Sequence, residues 1–214
     1  MAPLQNKPRS SHNILYVFYD FETTQDTRYT QTATRHVPNL VCRQQFCAQC
    51  ENQSDATVDC VRCAVRKHSF WEDPVADMLT YLCEPRPWAD TVVARAHNAE
   101  AFELHFILNT AIFPKWQPKL ITNGVKIMCM KVELITFLDS LNYLPFPLRK
   151  LPDEFGLMSR KSWYPHYFNT PENLNYVLAI PDVSYHGFDA MSHSEQEEFC
   201  AWYEGQKGSI FDNR

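Results

Sequence analysis

Ile14-Leu-Tyr-Val-Phe-Tyr-Asp-Phe-Glu-Thr-Thr24 is the stretch that decides the fold. Six apolar residues, Ile14 to Tyr19, run up to Asp20, and Glu22 follows two positions later. A run of this length, rich in β-branched and aromatic side chains, predicts a buried strand over 14–22. Side chains at i and i+2 of a strand point the same way. Asp20 and Glu22 should therefore share one side at the strand's end while Phe21 points to the other. Two adjacent carboxylates repel unless a positive charge sits between them. A divalent cation such as Mg²⁺ or Mn²⁺, which prefers hard oxygen ligands, would serve. The simpler alternative is a strand that ends in polar residues at the surface.

The 214 residues suit one large domain, or one domain with an insertion. At 45% hydrophobic the chain can fill a core, which excludes a disordered polymer by composition. The clusters Pro85-Arg-Pro87 and Pro145-Phe-Pro147 mark loops. A formal charge of −5 excludes the whole-protein basic field of many nucleic-acid binders. Charge is uneven, however: Lys115, Lys119, Lys126 and Lys131 fall in a segment without acids. That strip is either a local phosphate-binding surface or a solvated face. The first dozen residues are polar and lack the apolar core of a secretory signal. No apolar run approaches the ~20 residues of a membrane span. The expectation is an intracellular protein, nuclear or cytoplasmic, that is not secreted and has no membrane partner. In such a compartment the 8 cysteines read as free thiols or metal ligands.

Four of those cysteines are patterned. Cys47-Ala-Gln-Cys50 and Cys60-Val-Arg-Cys63 flank the polar spacer Glu51 to Asp59. Paired Cys-x-x-Cys knuckles supply the four thiolates of a structural tetrahedral Zn²⁺ site. The alternative is four reduced thiols on a hairpin. Four protein ligands leave no open position, so such a zinc would staple an insertion, placed at 42–68, and do no chemistry.

Along the rest of the chain, 1–12 reads as a loose leader, 25–35 as a loop or short edge strand, and 37–46 as a second strand. Asp73-Pro74 starts a helix through about Cys83, with proline in the first turn where its missing N–H costs nothing. Residues 91–96 read as a strand leading to His97-Asn98, with Asn98 a natural N-cap for the next helix. That helix is apolar on most sides, so Glu103 near its start needs a partner or a solvent-facing place in the first turn. Asn123-Gly124 predicts a two-residue hairpin turn. A strand over 132–144 runs out at Asp139-Ser140, a short helix over 148–156 ends at Gly156, and 194–203 is helical. Residues 157–191 resist assignment.

Three segments in one order argue together: Tyr-Asp20-Phe-Glu22-Thr-Thr, Ala-His97-Asn98-x-x-x-Phe102-Glu103-x-x-Phe106-Ile-Leu, and Phe-Leu-Asp139-Ser140-Leu141-Asn-Tyr-Leu-Pro-Phe-Pro-Leu. The set resembles the 3′–5′ exonuclease domain of protein-primed type B DNA polymerases, the organellar and viral class, and looks most like those of the self-synthesising Polinton (Maverick) elements. The resemblance spans about residues 14–204. It implies an α/β fold, a ribonuclease H-like mixed sheet flanked by helices, with the small Cys-rich hairpin as an insertion. The domain would run over 13–204, with 205–214 as a truncated tail.

The resemblance further implies catalytic carboxylates at Asp20, Glu22 and Glu103 holding two Mg²⁺ or Mn²⁺ ions, with Lys161 as a catalytic lysine. Its single-stranded DNA contacts would fall on His97, Asn98, Phe102, Phe106, Ser140 and Leu141. The partners implied are a primer 3′ end, a polymerase domain and a terminal protein. Glu103 stands where the family usually has Asp. The family's last motif, a Tyr and then an Asp about three residues on, has no convincing copy after the acidic helix at 194–203. Tyr185 and Asp189 have the spacing but lie upstream of its place. Three readings stay open: a proofreading nuclease, a single-strand-binding module of the same descent without hydrolysis, or a remnant reading frame with no selected activity.

Overall fold

The computed structural model describes residues 13–53, 55–99, 103–110, 116–158 and 162–213. Two compact units share the chain: Met1–Phe21 with Val41–Pro145, and Glu22–Leu40 with Phe146–Arg214.

The first unit is built on the opening strand. β1 (Ile14–Arg28) buries Leu15, Val17, Tyr19 and Phe21 on one side, as its period-two pattern requires. It extends past the 14–22 expected, because 25–28 continue the extended backbone instead of looping. β2 (Thr34–Phe46) follows, and β3 (Lys67–Phe70) pairs antiparallel with it from Val41↔Phe70 to Gln44↔Lys67. The Cys-rich insertion lies between these two strands. α1 (Pro74–Cys83) starts as expected: Asp73 caps it by accepting the Ala76 N–H, and Pro74 occupies the first turn. Its Val75, Met78, Leu79 and Leu82 are buried.

β4 (Thr91–Ala96) runs parallel to β1, with Ile14↔Thr91 through Phe18↔Arg95 in register. α2 (Glu103–Asn109) buries Leu104 and Ile107. β5 (Lys119–Asn123) and β6 (Lys126–Val132) form the hairpin that Asn123-Gly124 predicted, Gly124 taking a φ of +61°. The single strand expected over 132–144 is instead the end of β6, a turn at Glu133 with φ 48°, and β7 (Ile135–Asp139). β7 pairs antiparallel with β6 and parallel with β4. The sheet order is β3-β2-β1-β4-β7-β6-β5, so three parallel strands occupy its centre. Lys119, Lys126 and Lys131 lie exposed on the β5–β6 hairpin, Lys119 opposite Lys131.

The second unit is aromatic. A 3₁₀ turn at Leu148–Lys150 leads into α3 (Leu151–Phe155), closed by Gly156 at φ +63°, which is the short helix expected there. Short 3₁₀ turns and β8 (Val177–Ala179) fill the stretch that sequence left unassigned. α4 (His193–Gln206) starts on a capping box between Ser192 and Glu195, and Arg149 pairs with Glu195. Its Phe199 is fully buried among His186, Trp163, Trp202 and Tyr203. Within the segment set apart as a tail, β9 (Ile210–Asp212) pairs antiparallel with β8. Among the described residues no helix is long and apolar enough to cross a membrane.

Candidate functional site

The site grows from the carboxyl ends of β4 and β7 and the middle of β1 beside them. Phe18, Arg95 and Leu138 are aligned by the β1–β4 and β4–β7 registers. Two residues further on, Asp20, His97 and Ser140 reach the same level on the same side of the sheet. One residue on, at the level of Tyr19 and Ala96, Asp139 points to the opposite, buried side.

The two sides do different work. On the open side, the Ser140 hydroxyl donates to the Ala96 carbonyl at 3.0 Å and lies 2.9 Å from His97 Nδ1. The hydroxyl's one proton is committed to the carbonyl, so His97 Nδ1 must be the N–H donor toward Ser140 Oγ. Nε2 is then the ring's acceptor when the imidazole is neutral. Asp20 is exposed beside this pair of strands. Arg95, one step back, holds its guanidinium 5.4 Å from the Tyr16 ring and 5.9 Å from that of Tyr143.

On the buried side, the Asp139 carboxylate is 1% exposed. Its Oδ1 accepts the backbone N–H of Asn98 at 2.9 Å and that of Leu141 at 2.8 Å. One carboxylate thus fixes both predicted DNA-contact segments, 97–98 and 140–141. Burial holds the Tyr19 hydroxyl well above the usual tyrosine range, and the charges of Glu103 and then Asp139 push it further. Phe106 packs edge-on against Phe21, ring centres 6.0 Å apart. α2 therefore covers this same side, and Glu103, 9% exposed, belongs to it. The carboxylates are divided: Asp20 faces out, and Glu103 and Asp139 face in.

Asn98 is not the N-cap expected. Its φ is 69°, its N–H is spent on Asp139, and Ala99 after it is a turn residue and not helical. Asparagine tolerates this left-handed conformation better than most residues, and the bend leaves its side chain exposed. Phe102 and Lys161 lie outside the described residues. Glu22 belongs to the second unit, where its carboxylate is 3.5 Å from His166 Nδ1. Sequence reasoning missed Asp139 as the organiser. The signal was present: an Asp at the end of a strand, followed at once by Ser, is the pattern of an N-cap, and Asp139 caps the Ser140–Asn142 3₁₀ turn.

A second centre sits in the insertion. Cys47, Cys50, Cys60 and Cys63 are all buried, with their sulfurs within 4.8 Å of one another. Among the described residues it is the one group of three or more metal-ligating side chains drawn this close. The Sγ atoms of Cys47 and Cys50, Cys47 and Cys60, and Cys50 and Cys63 are 3.9, 3.8 and 3.6 Å apart. Burial raises the Cys47 and Cys63 thiols. Burial also opposes ionisation of Cys60, but the N–H groups of Cys63 and Arg62 outweigh it and bring that thiol down to about 7. This four-Cys cluster can hold a zinc ion.

No family model matches the chain. A curated relative, "Probable DNA polymerase" of Agaricus bitorquis, is 28% identical over 116 residues, 51% of this chain and 15% of that protein. Among solved structures, "Phi29 DNA polymerase complexed with single-stranded DNA" matches at a TM-score of 0.50 and 15% identity, over 73% of this chain and 26% of that one. The primer-template complex of the same polymerase matches at a TM-score of 0.47 and 16% identity, over 74% of this chain and 28% of that one. The chain thus spans a small part of the length of the proteins it matches. It is similar in sequence to a DNA polymerase, and its fold is similar to part of the Phi29 polymerase.

Proposed function

We propose that this chain is the 3′–5′ exonuclease part of a protein-primed type B DNA polymerase, with a ribonuclease H-like fold, and that it holds a single-stranded 3′ end. The observation that carries this reading is that His97 and Ser140, hydrogen-bonded to each other, follow the carboxyl ends of the parallel strands β4 and β7, with Asp20 of β1 two residues beyond the paired Phe18. In open α/β sheets that edge is where ligands bind. The names of the matched polymerases agree with it, and one of them is a complex with single-stranded DNA.

In this reading Asp20, Glu22 and Glu103 are the residues that would hold Mg²⁺ or Mn²⁺: their carboxylate oxygens are the hard donors such ions take, but the three are not drawn together here, Glu103 lying inward and Asp20 outward. The chemistry such ions would supply is Lewis-acid activation of a water for phosphodiester hydrolysis. The chain's own residues do the rest. Ser140 fixes the His97 tautomer, so that Nε2 can accept from a sugar hydroxyl or base. The exposed Asn98 amide and the main chain at Leu141, both set by Asp139, grip the terminal nucleotides. Phe106 takes part in packing against Phe21. Lys161 keeps its proposed catalytic role. The partners this reading calls for are the primer 3′ end, a polymerase domain and the terminal protein.

A second reading, a single-strand-binding module without hydrolysis, is favoured by one observation: Glu103 lies with Tyr19 on the side of β1 away from Asp20. One experiment separates the two. The purified chain is incubated with 5′-labelled single-stranded DNA and Mn²⁺, beside Asp20→Ala. Shortening from the 3′ end that disappears in the variant supports the nuclease. Salt-sensitive binding without shortening supports the module. Absence of both overturns the proposal.

A further inference from the structure

We propose that Cys47, Cys50, Cys60 and Cys63 hold a single zinc ion, and that the buried arginines Arg66 and Arg43 supply the counter-charge for the resulting tetrathiolate centre. This inference is independent of the nuclease reading.

The sulfur spacing selects the ligand. A tetrahedral Zn–S₄ site with Zn–S bonds of about 2.3 Å has edges of about 3.8 Å. The three Sγ distances here are 3.9, 3.8 and 3.6 Å. A disulfide requires ~2.05 Å, so the sulfurs are too far apart to be bonded. A polynuclear iron–sulfur cluster, whose thiolates ligate different iron atoms, would spread them wider. One mononuclear tetrahedral ion fits.

The backbone is shaped to the same end. Cys50 N–H donates to the Cys47 carbonyl at 3.0 Å, closing the first knuckle. In the second, Cys60 and Ala64 exchange two hydrogen bonds of 3.0 and 2.8 Å, and Ala64 takes a φ of 59°. Such a φ is costly for alanine. N–H groups also point at the sulfurs: Cys47 N–H to Cys50 Sγ, and Arg62 N–H to Cys60 Sγ, both at 3.4 Å.

Charge supplies the second, independent observation. Among the described residues Arg66 is the largest fully buried side chain. Its guanidinium donates to the carbonyls of Asp55 at 2.7 Å, Gln53 at 3.1 Å and Gln45 at 3.5 Å. Arg43, 6% exposed, donates to the Val65 carbonyl. Carbonyls satisfy the donors but bring no negative charge. The carboxylates that act on these cations, Asp55 on Arg66 and Glu84 on Arg43, are exposed to solvent, while the Cys63 sulfur also acts on Arg43. Burying a cation without close negative charge is expensive. Four thiolates around Zn²⁺ carry a net charge of −2. Binding displaces the thiol protons to solvent, so atoms and charge balance without any redox step. Gln45 ties the parts together, donating to the carbonyls of Cys63 and Val65 at 2.5 and 2.9 Å.

The test uses the full chain purified under reducing conditions. Elemental analysis should find zinc at one ion per chain. Replacement by Co²⁺ should give the intense visible bands of a tetrahedral thiolate site. Chelation should lower the melting temperature by about 10 °C or more. Arg66→Gln should weaken zinc about tenfold or more in competition with a chromophoric chelator, and Arg66→Lys should restore most of that loss. Metal-free protein with the same melting temperature, iron in place of zinc, or an octahedral cobalt spectrum would overturn the zinc site. Equal zinc affinity in the wild type and both Arg66 variants would overturn the counter-charge. Cys63→Ser is a weaker probe because it can fail to fold, and the cobalt titration of the wild type does not depend on it.

Discussion

The carboxylate of Asp139 accepts the backbone N–H of Asn98, 41 residues away in sequence, at 2.9 Å, and so pins the end of β4 to the end of β7. The same oxygen caps the turn at Leu141. Replacing the side chain by Ala leaves two N–H groups without their charged acceptor in a site that is almost closed to water. Charge-assisted hydrogen bonds contribute about 1.5–3 kcal/mol each and are not additive. Asp139→Ala should therefore cost about 3 kcal/mol in urea unfolding, and Asp139→Asn, which keeps an acceptor oxygen, about half of that. A loss within 0.5 kcal/mol for Ala, on the order of a surface change, would show that Asp139 is not the organiser.

The pair His97–Ser140 should act as a unit on DNA. Ser140→Ala frees the His97 ring to flip tautomer, and His97→Ala removes the outward nitrogen. Each should weaken single-stranded DNA about tenfold in fluorescence anisotropy, with the double variant little worse than either. The salt dependence should hardly change if His97 contacts a sugar or base and not a phosphate, since only phosphate contacts by cations release counterions. Additive losses, or a shallower salt slope, would mean that His97 acts on phosphate as a cation instead.

How much of this was legible beforehand follows from what kind of physics each feature uses. β1, the Asn123-Gly124 turn, the Asp73-Pro74 helix start and the Gly156 stop are local, and their residues announce them. The meeting of His97 with Ser140 was reachable only through the resemblance, since it depends on strand pairing between residues 43 apart. Three things were out of reach. Glu133 turns the chain with an unfavourable φ of 48°, which no propensity signals. Asn98 looked like a cap because caps and left-handed bends favour the same residue. Arg66 carries no local signal of burial, since arginine is almost always at the surface, and the carbonyls of a loop folded around it make its burial possible.

Asp20 should matter for chemistry and not for stability. It is exposed on β1, and changes at exposed positions shift stability by no more than about 0.5 kcal/mol. If the nuclease reading holds, Asp20→Ala should reduce Mn²⁺-dependent shortening of single-stranded DNA about 100-fold or more, while DNA affinity without metal stays the same or rises. A variant that melts several degrees lower would place Asp20 in the packing, and its activity would then say nothing about metal.

His186 gives the second unit a pH-dependent stability with a defined sign. Its ring is 5% exposed, packed against Phe199, Trp202 and Tyr203, with Nε2 3.4 Å from the Pro181 carbonyl. Burial lowers its pKa below the ordinary 6.5, with His166 pushing the same way. The carbonyls of Pro181 and Trp163, and the charge of Asp182, oppose that shift without cancelling it. As pH falls through 6.5 the unfolded chain takes up a proton that the folded chain refuses. The unfolded state then holds more protons, so stability falls with falling pH until the folded pKa is reached. Above about pH 7 the contribution is fully present and flat. Denaturation midpoints followed from pH 7.5 down to 5 should decline for the wild type, and the decline should be shallower in His186→Phe, which keeps a ring in the cluster but has nothing to titrate. Parallel curves for the two proteins would assign the pH dependence elsewhere, with His68, also lowered by burial, the next residue to replace.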